Sequence, residues 1–307
     1  MKNRYPALNL HRGESVRIRN YEEIASTLGD DGTLEGLPFQ AEMQKYCGQT
    51  FRVLQPIKKL IIENANIGLR GIRNTVILED VNCVGESHAS CSRYCFFLWK
   101  EAWLSRSSPR SQAGSGIQGL PDTGSEGNAR PPVAPSFYCQ SVGLERATFA
   151  VSIWNLRQYL WDITDNRYPL PRRISLLSIS LARRIWRLTR RRFPIRLSGL
   201  LEKTPSADFD LQPGDLVEVK CLDEIRATLD DSGKNRGLAF TKEMKRFCGR
   251  KFSVLRTVDR IIIEGTRENR KLAHTVILKD ANCDGSANFS CPRYCYLLWR
   301  KIWLRKA

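Results

Sequence analysis

The sequence has no long apolar run and none of the common catalytic signatures. Nowhere do about 18 consecutive apolar residues occur, the length that a membrane-spanning helix needs. The first 13 residues lack the apolar core of a secretory signal peptide, so we expect a cytoplasmic protein, with peripheral attachment to a membrane left open. A Walker phosphate loop, GxGxxG after a strand, GxSxG and HExxH are all absent, so the enzyme classes that these motifs define receive no support.

Histidine is scarce, with three in 307 residues, and the CxxC pair that makes zinc predictions strong is missing. A general base needs a side chain that orients it, and the sequence identifies no such partner for any histidine. Whether the protein is an enzyme therefore stays open, and we predict no catalytic residue.

What the chain has instead is cysteine, arranged in an internal repeat. Residues 13–104 and 214–304 are two copies of one module, each with a GL-x-F block, an EM pair, a CG pair and a terminal pair of tryptophans. Eight of the ten cysteines occupy matching places, which are Cys47, Cys83, Cys91 and Cys95 in the first copy and Cys248, Cys283, Cys291 and Cys295 in the second. In a reducing compartment, matched cysteines indicate metal ligands before disulfides.

Each cysteine quartet is predicted to bind one zinc ion, two ions per chain. Zinc takes four thiolate or imidazole ligands in a tetrahedron, and a full set of four indicates a closed, structural ion. Cys91 and Cys95 are spaced to lie on one face of a helix. An iron–sulfur cluster, buried free thiols and disulfides remain alternatives.

Other polar side chains near the quartets receive weaker predictions. His88 lies between Cys83 and Cys91 and would serve as a ligand, but its counterpart is Asn288, which argues against a shared histidine ligand. Cys139 and Cys221 have no counterparts in the other copy, and we expect them to be ordinary thiols.

Alternating segments predict short strands, and we expect an α+β chain with two small SH3-like β-barrel lobes. The predicted strands begin near residues 16, 51, 60 and 75 and recur near 217, 252, 261 and 275. A glycine and an acidic residue before the first strand of each copy resemble the opening of SH3-like barrels. The cysteine-bearing segments 91–104 and 291–304 are predicted as helices, because their apolar residues recur at steps of three and four.

The segment between the copies carries much of the net charge of +17. The first copy has 10 basic and 12 acidic residues, and the second has 18 and 12. Residues 105–136 are predicted to be a disordered linker, and 137–200 a basic amphipathic helical insert. Arg172–Arg196 contains no acidic residue, which favours an anionic membrane surface or nucleic acid as partner, unless its apolar stripe packs on the repeats.

Three blocks resemble an uncharacterised bacterial family. They are Gly36–Phe39 with Tyr46–Gly48, Trp99–Leu104, and Leu156–Leu160. The resemblance implies two cysteine-containing repeats around a helical middle, often encoded beside glycan or natural-product biosynthesis genes, and it implies no activity. We therefore expect a non-catalytic interaction or scaffold protein. The alternative is a metal- or iron–sulfur-dependent enzyme or redox accessory with a site between the lobes.

Overall fold

A computed structural model gives a mixed α/β, strand-rich chain with few helices and a curled half-barrel sheet. The structure describes residues 5–63, 65, 68–107, 139–152, 155, 157–164, 169–171, 173–175, 177–179, 182, 197–207, 209–286 and 290–307. Within these ranges every helix is too short or too polar to traverse a bilayer. The predicted linker 105–136 lies outside the described residues except for 105–107, of which Ser105 and Arg106 are in a strand. Most of Arg172–Arg196 also lies outside them.

The first copy is built almost entirely from strands. Its elements are β1 (Ser15–Ile18), α1 (Tyr21–Ala25), β2 (Thr33–Leu34), β3 (Leu37–Pro38), a 3-10 helix (Ala41–Tyr46), β4 (Thr50–Ile61), β5 (Leu69–Leu78), β6 (Trp99–Lys100), a 3-10 turn (Glu101–Trp103) and β7 (Leu104–Arg106). Two strands predicted separately in this copy are one continuous strand, β4, which bends at register shifts opposite β5.

The insert supplies α2 (Gln140–Ala147), β8 (Phe149–Ala150) and α3 (Arg157–Thr164). β8 pairs antiparallel with β5, so the insert adds a strand to the sheet of the first copy. α2 packs beside β3, where the Gln140 side chain donates to the Pro38 and Leu98 carbonyls, both at 2.9 Å. The described residues between 170 and 182 are helical.

The second copy has a similar order of elements. They are β9 (Leu216–Val219), α4 (Leu222–Arg226), β10 (Lys234–Asn235), β11 (Leu238–Ala239), a 3-10 helix (Lys242–Phe247), β12 (Lys251–Thr257), β13 (Arg260–Ile262), β14 (Asn269–Lys271), β15 (Thr275–Asn282), β16 (Tyr296–Arg300), a 3-10 turn (Lys301–Trp303) and β17 (Leu304–Lys306). The main sheets have corresponding orders, β6-β5-β4-β1-β7 and β16-β15-β12-β9-β17, but strands β13 and β14 of the second copy form a separate two-stranded sheet.

Alternating side chains explain why the first strand of each copy packs one of its faces on a core. Val16 and Ile18 are fully buried while the residue between them is exposed, as expected for a strand with one face on a core. Both tryptophans of each copy are also fully buried. Phe39 meets the Trp103 ring edge-on with centroids 5.4 Å apart, and Phe240 meets Trp303 at the same 5.4 Å.

The helices predicted over 91–104 and 291–304 are wrong. In the second copy Tyr296–Arg300 is a strand, and in both copies a three-residue 3-10 turn precedes the last strand. The two tryptophans of each copy are both fully buried in one core without a helix. Leu98 and Trp99 are both buried, a run that fits a strand covered on both faces as well as a helix.

The two copies contact each other through the segments that follow their third cysteines. The Phe96 and Tyr296 rings stack with centroids 5.4 Å apart. The backbone N–H of Ser92 donates to the Arg260 carbonyl at 2.8 Å, and Arg93 donates to the Tyr296 carbonyl at 2.6 Å. The loops that carry the cysteines therefore lie at the junction of the two copies.

Candidate metal centre

A buried cluster of Glu42, Cys83 and His88 lies in the first copy. Of the residues that the structure describes, these form the one group of three or more His, Cys, Asp or Glu side chains whose ligand atoms all lie within 4.8 Å of one another. Glu42 comes from the 3-10 helix after β3, and Cys83 follows β5. His88 lies in the loop that leads from Cys83 to the later cysteines.

The two ring nitrogens of His88 face different groups. Nε2 lies 3.3 Å from the Cys83 sulfur. Nδ1 faces Glu42 Oε1 at 3.5 Å, Ser87 Oγ at 3.3 Å and Gln40 Nε2 at 3.4 Å. A histidine that binds a metal through one nitrogen commonly donates the other N–H to a carboxylate. The contacts of His88 match this arrangement, with Nε2 as the ligand atom.

Glu42 holds the loop that carries His88. Its Oε2 accepts the backbone N–H groups of Val84 (3.0 Å) and Gly85 (3.3 Å), and its Oε1 accepts the N–H (2.8 Å) and hydroxyl (3.0 Å) of Ser87. An ionised carboxylate has about four lone-pair sites, and all four are therefore engaged. Glu42 therefore holds the loop and does not bind an ion directly, and its carboxylate faces His88 Nδ1 at 3.5 Å as a neighbouring charge.

The protonation preferences of the cluster follow from burial and from these contacts. Burial raises the pKa of Glu42, but the N–H groups of Ser87 and Val84 outweigh it and leave the pKa lowered. Burial also lowers the pKa of His88, against the opposing influence of Glu42. Burial strongly raises the pKa of the Cys83 thiol. The histidine is therefore neutral, the form that binds metals, while Cys83 would need a cation beside it to become a thiolate.

The separation of the two donor atoms suits a zinc ion. With Zn–S near ~2.3 Å and Zn–N near ~2.05 Å, two ligands of a tetrahedron lie about 3.5 Å apart. The observed 3.3 Å between Nε2 and the Cys83 sulfur is close to that edge. The same distance also suits a hydrogen bond between a neutral ring and a thiol, which is the state without an ion.

Of the other cysteines of the first copy, Cys91 and Cys95 lie in the loop that begins at Cys83. All ten cysteines of the chain are free thiols. The loop from Cys83 to Cys95 closes on itself, since Cys83 N–H donates to the Cys95 carbonyl (2.8 Å) and Cys91 N–H to the His88 carbonyl (3.2 Å). Gly85 adopts φ +85° inside this loop, where a Cβ would collide with the backbone of Cys91.

The two thiols Cys47 and Cys139 lie in different surroundings. Cys47 packs against the hydrophobic core at the end of the 3-10 helix, and only burial raises its pKa. Cys139 is buried, and its pKa rises to about 12 through burial and through the nearby Cys95 and Cys91. The structure thus brings Cys139 to the thiols of the loop. The four-cysteine site that includes Cys47 stays a prediction.

The second copy places acidic groups where the first has the histidine cluster. Glu243 is the counterpart of Glu42, and burial and the neighbouring Asp284 raise its pKa to about 7. Arg246 pairs with Asp284, whose pKa is lowered despite burial through its hydrogen bonds to Ser286. Cys283 N–H donates to the Cys295 carbonyl at 2.8 Å, as in the first copy. Asn288 lies outside the described residues.

Cys248 packs against the core of the second copy, where burial and the neighbouring Cys221 raise its pKa. Cys291 joins the hydrophobic core of the first copy, across the junction. Two cysteines of the predicted second site therefore pack against different cores, Cys248 against that of the second copy and Cys291 against that of the first. The four-cysteine site of the second copy stays a prediction as well.

Comparison with protein-family models, with curated proteins and with solved structures gives no match. The site is therefore interpreted from its own chemistry. The sequence places His88 between two cysteines, but Glu42 stands out only as part of the EM pair that recurs as Glu243 and Met244 in the second copy.

Proposed function

We propose that the chain is a non-catalytic interaction or scaffold protein whose first copy is held together by a structural zinc ion. The observation that carries the proposal is the buried His88, with Nε2 on the Cys83 sulfur and Nδ1 on the Glu42 carboxylate. A histidine placed in this way is oriented for a metal before the metal arrives, and its burial leaves little access for a substrate.

Cys91 and Cys95 are the proposed remaining ligands, and their sulfurs, which lie outside the 4.8 Å group, would move toward Cys83 and His88 when the ion binds. They complete a Cys-x4-His-x2-Cys-x3-Cys run, and the backbone hydrogen bonds that close the loop support a shared ion. Four protein ligands leave no open position, which suits a structural ion better than a catalytic one. Cys139 is the candidate replacement for either sulfur.

The number of bound zinc ions distinguishes the two hypotheses: one ion for the ligand set that includes His88, and two for the predicted four-cysteine sites. The purified protein is expected to carry one zinc ion, lost in His88→Asn, which installs the residue of the second copy. His11→Asn is the matched control, since His11 is exposed and bonds only Glu14. Cys47→Ser should keep the ion. Two ions, with loss of one in Cys47→Ser and none in His88→Asn, would instead support a quartet in each copy.

We further propose that both copies are SH3-like lobes that present partner surfaces. The corresponding five-strand orders of the two sheets support a common architecture. A basic partner-binding segment, Arg172–Arg196, would add an anionic membrane surface or nucleic acid as ligand. Co-sedimentation with anionic liposomes and retention on nucleic acid, each titrated with salt, would distinguish the two partners.

The alternative function is that of an enzyme or redox accessory with an iron–sulfur or open metal site between the copies. The loops that carry the cysteines do meet at the junction of the copies, which is the observation in its favour. Anaerobic purification distinguishes the two functions. A brown protein with visible absorption and bound iron would support the alternative, and a colourless protein with zinc would support the scaffold.

A further inference from the structure

A cavity of about 400 Å³ lies where four distant parts of the chain meet. The N-terminal segment 9–12, strands β4 and β5, and the insert form most of its wall. Ser290 and Pro292 of the second copy complete it. Small-molecule sites commonly measure about 300–1,000 Å³ and lie where structural units meet.

The charge of the wall is strongly positive. Arg12, Lys58, Lys59 and Arg73 line the cavity, against one carboxylate, Glu101. That carboxylate already accepts three backbone N–H groups, from Leu8 (2.6 Å), Asn9 (3.0 Å) and Leu10 (3.1 Å). Across the described ranges, no carboxylate forms an ion pair with the cations at positions 12, 58 and 73. Cations that converge in this way without acidic partners favour an anionic ligand.

Two aromatic side chains from the insert give the cavity an apolar wall. Phe149 of β8 is 40% exposed, and its ring atoms lie close over Gly71 of β5. The Arg73 guanidinium lies over the same ring, 5.2 Å from its centroid. Trp161 of α3 lines the cavity as well. An exposed aromatic beside a cation is a platform on which a planar ring can stack.

We infer that this cavity binds a small organic anion, a phosphate carried on a planar ring. The phosphate would meet Arg12, Lys58 and Arg73, because guanidinium groups bind phosphate through paired hydrogen bonds and ammonium groups as point charges. The ring would lie against Phe149 and Trp161. This site is separate from the proposed zinc site and does not depend on it.

The test is calorimetric titration of the full, metal-loaded chain with four probes. Adenosine monophosphate and phenyl phosphate carry both features, adenosine carries the ring alone, and inorganic phosphate the anion alone. Both ring phosphates are expected to bind at least about tenfold more tightly than either partial probe, because each feature contributes separately. Comparison of adenosine monophosphate with phenyl phosphate then shows whether the cavity selects a nucleotide or any aromatic phosphate.

Variants locate the binding. Lys58→Gln and Arg73→Gln should each weaken the ring phosphates about fivefold to tenfold and leave adenosine unchanged. Arg52→Gln is the matched control, since Arg52 is an exposed cation of the same strand outside the cavity. Phe149→Ala should weaken adenosine and the ring phosphates, with Leu160→Ala as the exposed control. His88→Asn should leave the affinity unchanged if the variant stays folded.

Two results would overturn the inference. One is the lack of saturable binding of either ring phosphate at millimolar concentration. The other is equal weakening by Arg52→Gln and Lys58→Gln, which would reduce the effect to general surface charge. Failure here would leave the zinc count untouched, and failure of the zinc proposal would leave this titration untouched.

Discussion

In the first copy the buried Lys100 donates to the Glu35 carboxylate at 2.7 Å and to the Arg73 carbonyl at 2.9 Å. In the second copy the counterpart Arg300 donates to the backbone carbonyls of Asn235 (3.2 Å), Arg236 (2.7 Å) and Ala273 (2.5 Å) and to the Thr275 hydroxyl. Both copies therefore need a cationic donor at this place. The arginine fork reaches enough carbonyls to replace the carboxylate, which a lysine cannot do.

The next position changes the sign of its charge for a similar reason. Glu101 accepts the N–H groups of Leu8, Asn9 and Leu10, whereas Lys301 donates to the Phe209 carbonyl at 2.8 Å. The segment that leads into each copy passes beside this side chain. It presents backbone N–H groups to Glu101 in the first copy and a backbone carbonyl to Lys301 in the second. The two copies keep the scaffold and adapt the buried charge to the backbone that covers it.

The largest difference between the copies is expected at the ion pair of their junction. Arg293 meets Glu264 through two bonds, of 2.6 and 2.8 Å, and both side chains are less than 10% exposed. Glu264 also accepts the Glu63 N–H at 2.9 Å. Arg293→Ala would leave a buried carboxylate without its cation, and we expect a loss of about 3–5 kcal/mol in unfolding free energy by urea denaturation.

The counterpart Arg93 serves as the matched control for this pair. It donates to the Tyr296 carbonyl at 2.6 Å, a bond to a neutral acceptor. Arg93→Ala should therefore cost clearly less than Arg293→Ala. Equal losses would show that the junction depends on two equivalent arginines and not on the ion pair of the second copy.

The paired glutamates should give opposite pH dependences. Burial and then Asp284 raise the pKa of Glu243 to about 7 from an ordinary 4.5, so the folded state keeps a proton that the unfolded state releases between these values. The unfolding free energy should fall as pH rises across that window, and Glu243→Gln should remove a fall on the order of 3 kcal/mol.

Glu42 has a lowered pKa, so its contribution is present above the ordinary value and is lost as pH falls through the folded one. Glu42→Gln should therefore destabilise the protein most at neutral pH and least in acid. Urea denaturation of both variants between about pH 4 and pH 8 measures the two slopes. Parallel curves for the variants would refute the proposed difference between the copies.

A smaller effect on stability is expected at β8, the strand that the insert adds to the sheet of the first copy. Gly71 allows the Phe149 ring to lie against β5, and its counterpart Lys271 is exposed on β14, where the structure shows no added strand among the described residues. Gly71→Lys places a side chain in the space of the ring, so we expect displacement of β8 and a loss of about 1–3 kcal/mol. Lys271→Gly is the control and should change stability by less than about 1 kcal/mol. Hydrogen exchange at Phe149 and Val151 reports the displacement.

The strands were predictable because Val16, Arg17 and Ile18 alternate between core and solvent, and such a period is local. The terminal helices were not, since Leu98, Trp99 and Trp103 fit a helix, or a strand that ends in a 3-10 turn, equally well. Only the partner strand decides between them, and Val76 of β5, which pairs with Trp99, lies some twenty residues away along the chain.

The candidate metal centre was predictable only in part, for the same physical reason. His88 and Cys83 lie five residues apart, so their association could be suggested from spacing. Glu42 comes from the far side of β4 and β5, and nothing local indicates that its carboxylate holds the loop after Cys83. The proposed anion cavity needs four distant segments, including those that carry Phe149 and Pro292, and no sequence period reports such a meeting.

The smallest expected effect concerns a buried hydrogen bond that the two copies share. Trp103 Nε1 donates to the Thr27 hydroxyl at 3.0 Å, and Trp303 Nε1 donates to the Thr228 hydroxyl, also at 3.0 Å. Thr27→Val and Thr228→Val keep the volume but leave a buried indole N–H without an acceptor, at a cost of about 1–2 kcal/mol each. Because the two sites share their geometry, the losses measured by urea denaturation should agree within about 0.5 kcal/mol. A clear inequality would mean that the cores of the two copies differ in rigidity even where their contacts coincide.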